Sequence, residues 1–192
     1  ALTVVMTRLH AGAKGRGKSA YGKRTVGVHG VGAAVVNALS EKMQVWTRRD
    51  GKWWTQSYAR GKTTSTVGAS KSPIPKWPRG TVVAFTRDAS IMKAPLDKSA
   101  VLDYVKLQAH LHEATVTIIN GLRRVVIRPK PFRALIARSA SAAVTPDIEV
   151  RTPDVRFVGV WREQAESHVT SYVNGSPTTG GTHARALTEA LR

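Results

Sequence analysis

The sequence has no cysteine, which rules out disulfides and thiolate metal sites and fits a reducing compartment. It also has no apolar run near the ~20 residues of a membrane-spanning helix. The apolar opening Ala1–Met6 has no basic flank of the secretory kind. A membrane-spanning segment is therefore not expected. Acid is scarce, with 12 Asp+Glu against 30 Lys+Arg and a net charge of +18. The scarcity is local: no acid precedes Glu41, and none lies between Glu113 and Asp147. A chain this basic repels itself and calls for a polyanionic partner, with nucleic acid the first candidate and an anionic membrane surface the second; nucleic acid, and no membrane, is the expected partner. The 6 histidines show no metal-ligand spacing. His110 and His112 are two apart and do not share a helix face, so no metal site is expected.

What is there is a chain of 192 residues with an ordinary 42% apolar content, enough for one domain or two small ones. Leu2–Met6 reads as the end of a helix or strand. Ala11–Thr25, rich in Gly, Lys and Arg, reads as a long loop. The pattern then predicts a helix over Val31–Leu39 and a strand over Gln44–Thr47. An Asp50-Gly51 hairpin turn leads to a return strand over Trp53–Ala59. Pro73, Pro75 and Pro78 stiffen a loop before a strand over Gly80–Thr86. A helix over Asp97–Glu113, strands over Thr115–Ile119 and Arg124–Ile127, and a short Pro-initiated helix over Pro131–Arg138 follow. Ser139–Pro146 reads as a linker. Strands over Asp154–Val160 and Ser167–Val173 and a helix from His183 complete the pass. The fold class is α+β, and there is no internal repeat.

The stretch Gly27-Val28-His29-Gly30-Val31-Gly32, running straight into an apolar helix, suits phosphate. Glycines let the backbone approach, and the unpaired N–H groups of a first helical turn point outward. The phosphate would belong to a nucleotide or to a nucleic-acid backbone. The alternative is that these glycines only give room for close helix packing. The tract from Lys14 to Arg24, with Arg16, Lys18, Tyr21 and Lys23 between, is either a closing loop or an arm following phosphates. Arg16, Lys18, Lys23, Arg24, Arg123, Arg124, Arg128, Lys130 and Arg133, in the two acid-free tracts, are the candidate nucleic-acid contacts. Trp46, Trp53, Trp54 and Trp77 would stack on bases or share themselves between core and surface. Trp53 and Trp54 point to opposite faces, so at least one is expected outside the core.

The order of Leu9-His10-Ala11-Gly12-Ala13-Lys14, the glycine stretch with Val35-Val36-Asn37-Ala38-Leu39-Ser40, Arg49-Asp50-Gly51-Lys52, Gly80-Thr81-Val82-Val83-Ala84-Phe85, Phe157-Val158, Tyr172-Val173-Asn174 and Gly180-Gly181-Thr182-His183 resembles the ATPase region of type II DNA topoisomerases, the gyrase B and topoisomerase IV B subunits. The resemblance spans nearly the whole chain. It implies a partial Bergerat (GHKL-type) ATPase sandwich followed by the start of a transducer domain of the ribosomal S5 domain 2-like kind. On that view residues 1–140 are the C-terminal part of the ATP-binding domain and residues 141–192 a partial transducer. Lys14 would sit near the phosphates, and Tyr21 resembles the lid tyrosine. Gly27, His29, Gly30, Val31 and Gly32 would wrap the triphosphate, and Thr81 would lie near the adenine edge. Arg49 resembles an arginine below the coumarin-binding edge.

The resemblance also implies a catalytic glutamate, a magnesium-binding asparagine and an adenine-reading aspartate upstream of Leu9-His10-Ala11-Gly12, and a transducer lysine downstream of Gly180–His183. The sequence carries none of these, so no catalytic residue is assigned, and ATP is expected, with magnesium, only where the missing helix is supplied. Two functions remain. One is a basic structural component of a nucleoprotein assembly such as an organellar ribosome, bound to rRNA or DNA and other protein subunits in a mitochondrial or other organellar matrix. The other is the ATP-binding part of a split or truncated type II topoisomerase that couples ATP hydrolysis to strand passage, in the cytoplasm or nucleoid. The charge and the missing catalytic groups favour the first and a non-enzyme.

Overall fold

The computed structural model describes residues 2–11, 30–74, 78–136, 143–163 and 168–191. They are helix and sheet, as expected, and divide into two compact units, the second beginning at Leu96. The expected domain boundary at 140/141 lies outside the described residues.

The first unit contains α1 (Leu2–Thr7), α2 (Gly32–Ala38) and five strands: β1 (Ser40–Arg49), β2 (Lys52–Ala59), β3 (Lys62–Thr63), β4 (Gly68–Ser70) and β5 (Thr81–Arg87). The ambiguous opening segment is thus a helix. The strands form one antiparallel sheet in the order β3-β2-β1-β5, with β4 also on β2. Asp50 (φ 52°) and Gly51 (φ 75°) make the expected two-residue turn, which sets Arg49 opposite Lys52 and the whole β1–β2 register. Arg60 (φ 47°) and Gly61 (φ 84°) repeat the device between β2 and β3.

Alternation along β1 turns Met43 and Val45 to one face, where they meet Tyr58 of β2 and Met6 of α1. Leu2 and Ala33 pack against this cluster. A buried polar hub sits beside it. Gln56 Oε1 accepts from Tyr58 Oη (2.9 Å) and Thr3 Oγ1 (3.0 Å), while its Nε2 donates to the Ser65 carbonyl at 3.0 Å. The hub ties α1 to the sheet and to the loop after β3. β5 forms the outer edge of the sheet. Its Val83 and Phe85 share the core face with Val45 and Met43, yet both are exposed.

Asp88, buried at the end of β5, accepts from Ser90 N (2.9 Å), Ser90 Oγ (2.6 Å) and Arg60 Nε (2.6 Å). These hydrogen bonds, those from Ser90 foremost, hold its carboxyl below the ordinary carboxylate range. A depressed folded value gives stability above the unfolded value of ~3.9 and loses it as the pH falls through the folded one. Melting followed from pH 7 to pH 2 is therefore expected to hold down to about pH 5 and to fall below about pH 4. Asp88→Asn is expected to melt lower at neutral pH and to show a shallower acid limb.

The second unit contains α3 (Lys98–Leu111), β6 (Val116–Asn120), β7 (Arg123–Ile127), a 3-10 turn (Phe132–Leu135), β8 (Ile148–Arg151), β9 (Arg156–Gly159), β10 (Ser171–Val173), β11 (Ser176–Thr178) and α4 (Thr182–Ala190). Its strands form three separate hairpins. Asp97 caps α3, its Oδ1 accepting from Ser99 N (2.9 Å) and Ala100 N (3.1 Å). The end of α3 is held by charge. Glu113 accepts from Arg156 (2.7 Å) and Arg151 (3.3 Å), and Arg156 also stacks 4.3 Å from the Phe132 ring centre. Of the expected Pro-initiated helix the described residues, which end at Ile136, form this 3-10 turn with Pro131 at its N-cap. Within the expected linker, Ala143 bridges Arg162 and the Val144 N–H donates to the Trp161 carbonyl at 2.7 Å, so its end pairs as a strand would.

Candidate functional site

The site is built around α2. Its C-terminal end is fastened at several points. The Asn37 side chain, buried, donates to the Met6 carbonyl (2.9 Å), and the Gly61 N–H donates to the Asn37 carbonyl (3.1 Å). Ser40 Oγ donates to the Val36 carbonyl (2.5 Å), and the Arg60 N–H donates to the Ser40 carbonyl (2.8 Å). The N-terminal end is the opposite. Val31 holds the N-cap position with no side-chain cap, and the first bond within the helix runs from the Val35 N–H to the Val31 carbonyl at 2.9 Å. The N–H groups of the first turn, Gly32 to Ala34, have no partner within the helix.

The glycines differ in what they do. Gly30 has φ 63°, the left-handed region that favours glycine, and it turns the chain into the helix. Gly32 is not in that region, and a Cβ built on it meets nothing within 4 Å. Among the described residues, then, nothing packs close against Gly32, while Gly27 lies outside the described residues. Among the described residues, a helix start with no side-chain cap and a glycine at its first position fits an approaching phosphate.

The direction of α2 decides what the mouth faces. Ala33, in its first turn, packs on the cluster containing Met43, Val45 and Tyr58. Ala38, at its other end, lies 3.6–3.7 Å from the Cβ position of Gly61, beyond the far end of β2. The helix thus runs back along β1, and its mouth points toward the Thr47 end. Thr47 and Thr81 lie opposite each other in register with Val45 and Val83 and therefore on the same face as the cluster. Their hydroxyls are 3.3 Å apart. Trp54 lies opposite Thr47 on that face, half-buried. Arg49 ends the same row, exposed and 3.5 Å from Asp50.

Of the nucleotide-site residues expected from sequence, Thr81 lies on the face against which α2 packs through Ala33, and Gly30, Val31 and Gly32 lead into that helix. Lys14, Tyr21, Gly27 and His29 lie outside the described residues, as do Arg16, Lys18, Lys23, Arg24 and Trp77. Thr47 and Trp54 belong to this face as well, beyond the residues that the motifs point to. The two-residue Asp50-Gly51 turn carries the signal for them, because it sets 47 against 54. Trp53 is buried and Trp46 and Trp54 are half-buried, so none of the three stands free as a stacking platform. Arg123, Arg124, Arg128, Lys130 and Arg133 are exposed in the second unit. Gly181 (φ 138°) starts α4 with the His183 ring against it, so a Cβ there would come within 2.9 Å of that ring. Among the described residues no three His, Asp or Glu gather as a metal cage, and no helix is long and apolar enough to cross a membrane.

No protein-family model matches the chain. Its whole length aligns with the DNA gyrase B protein of Metamycoplasma arthritidis at 31% identity over 215 residues, 33% of that protein. It likewise aligns with the DNA topoisomerase 4 B protein of Caulobacter vibrioides at 32% identity over 227 residues, 30% of that protein. The chain thus spans about a third of the length of the curated relatives it matches. The structure superposes on the 43K ATPase domain of Thermus thermophilus gyrase B with a TM-score of 0.70 and 24% identity, covering 99% of this chain and 50% of that one.

Proposed function

Since the chain is homologous over its whole length to the B subunits of DNA gyrase and topoisomerase 4 and has the fold of the gyrase B ATPase domain, we propose that it is an ATP-binding part of a type II DNA topoisomerase. In the assembled enzyme, with DNA and other subunits as partners, its nucleotide would be coupled to strand passage. One observation carries this reading: the open mouth of α2 and the Thr47–Thr81 pair share a face, and the mouth points toward that pair. The first-turn N–H groups, which have no partner within the helix, favour a phosphate there. A base then extends over the sheet toward Thr81. By their likeness in sequence, Lys14, Tyr21, Gly27 and His29 are assigned to the same nucleotide.

ATP hydrolysis needs a carboxylate base, and magnesium supplies charge stabilisation when bound. Residues 1–40 contain no Asp or Glu, so the contribution of this tract is to bind and orient the triphosphate. The relatives are DNA gyrase and topoisomerase subunits, which favours this reading over the structural component of a ribosome-like particle that charge alone suggests.

Calorimetric titration of the full chain with ATP tests the proposal. One ATP should bind per chain, and Thr81→Ala should weaken it roughly tenfold, the loss of about one hydrogen bond. Equal binding of inorganic tripolyphosphate, indifferent to Thr81→Ala, would mean a generic anion site and contradict the reading.

A further inference from the structure

The two acid-free tracts ask for a polyanion, and the second is described in full as far as Ile136. Its centre is the hairpin β6–β7, which pairs with no other strand among the described residues. Asn120 lies opposite Arg123, and Ile119 opposite Arg124. Adjacent residues of a strand point to opposite faces, so Arg123 and Arg124 give each face of the ribbon one cation at the same end. Both are exposed. Between the strands Gly121 (φ 59°) turns the chain, and Leu122 at the tip is fully exposed, with Ile119 beside it 70% exposed.

The acids of the second unit that form ion pairs hold other cations. Glu113 takes Arg151 and Arg156, and Glu149 takes Arg156. Among the described residues no ion pair involves Arg123, Arg124, Arg128, Lys130 or Arg133. The chain just past the hairpin is anchored, the Lys130 N–H donating to His110 Nδ1 of α3 at 3.1 Å. A two-stranded ribbon, tied to α3 just beyond its second strand, therefore carries cations without ion-pair partners on both faces and an apolar tip.

We propose that β6–β7 is a DNA-contacting ribbon that enters a groove of duplex DNA, with Arg123 and Arg124 reaching the phosphates on its two sides. The inference rests on the reading above that this chain works on DNA. The major groove admits a two-stranded ribbon, and cations on opposite faces match backbones on opposite walls. Arg128, Lys130 and Arg133 follow the backbone outside the groove. Leu122 and Ile119 meet base edges, where an apolar side chain finds the thymine methyl.

The test is fluorescence anisotropy of the full chain with a labelled duplex of about 20 base pairs between 50 and 200 mM salt. Each phosphate contact contributes about 0.9 to the slope of log affinity against log salt. Arg123→Gln with Arg124→Gln should lower that slope by about 1.8 and the affinity at 100 mM salt by roughly tenfold or more. Leu122→Ser should weaken binding with the slope unchanged. The paired arginine variant should melt with the parent, since neither side chain has a folded-state partner. An unchanged slope in that variant, with the parent binding duplex, overturns the ribbon while leaving the DNA reading intact. Failure of the parent to bind any duplex overturns the DNA reading itself. Tighter binding to a single-stranded RNA of equal length overturns both the groove and the DNA assignment.

Discussion

Tyr58→Ala is expected to destabilise the first unit by about 3–5 kcal/mol, the cost of emptying a fully buried aromatic site. Tyr58 is 1% exposed and is among the largest fully buried side chains described. Its ring closes the cluster of Met6, Met43 and Val45, on which Ala33 of α2 rests. Its hydroxyl donates to Gln56 Oε1, the atom that also receives Thr3 of α1. Truncation therefore opens a cavity and loosens the polar hub together. Against the roughly 5–15 kcal/mol typical of a whole domain, the loss is a large share. Tyr58→Phe keeps the ring and should cost only about 1 kcal/mol, because Thr3 still satisfies Gln56. Urea unfolding separates the two. Burial pushes the Tyr58 hydroxyl up to about 12. It stays a donor where an unfolded tyrosine ionises, so this contribution is present below about pH 10 and fades as the pH rises toward about 12.

Gly32→Asp is expected to leave stability unchanged and to reduce ATP affinity roughly a hundredfold, about 2.7 kcal/mol. A Cβ at Gly32 meets open space, and the backbone there is not in the left-handed region, so the fold accepts an L-residue. A carboxylate in the first helical turn is itself favourable to the helix dipole. The same carboxylate stands where the triphosphate would lie, fills its approach and repels it. The variant thus separates a phosphate cradle from a packing glycine. If Gly32 served packing, melting would drop and nucleotide affinity would not move. Gly30 is the poorer choice for this test, since a side chain at φ 63° perturbs the backbone wherever it points.

Local chemistry makes much of the fold legible. Asp50-Gly51 names its hairpin, and alternation finds β1, β2 and β5. Asn174 (φ 50°) and Gly175 (φ 78°) make the same kind of turn between β10 and β11, so the Asn-Gly pair is a second hairpin signal of the same chemistry. β8 is of another kind. All four of its residues are exposed, so Ile148–Arg151 shows no buried face to alternate, and only pairing with β9 defines it. β3 and β4, two and three residues long, are too short for any period. In the candidate site, the glycine stretch and Thr81 are readable as residue types and as a resemblance. Their common face is not, because it depends on where Ala33 and Ala38 pack and so on the direction of α2, a tertiary fact. The net charge points toward a structural nucleic-acid component, because charge reports the kind of partner and not the chemistry done with it.

Whether the mouth of α2 receives a triphosphate can be followed residue by residue, by titrating the isotope-labelled full chain with ATP and recording backbone amide resonances. Large, saturable shifts are expected at Val31, Gly32, Ala33 and Thr81. Shifts confined to Arg123, Arg124 and the other exposed cations, with the amides of Gly32 and Ala33 unmoved at saturation, would contradict a nucleotide at this helix.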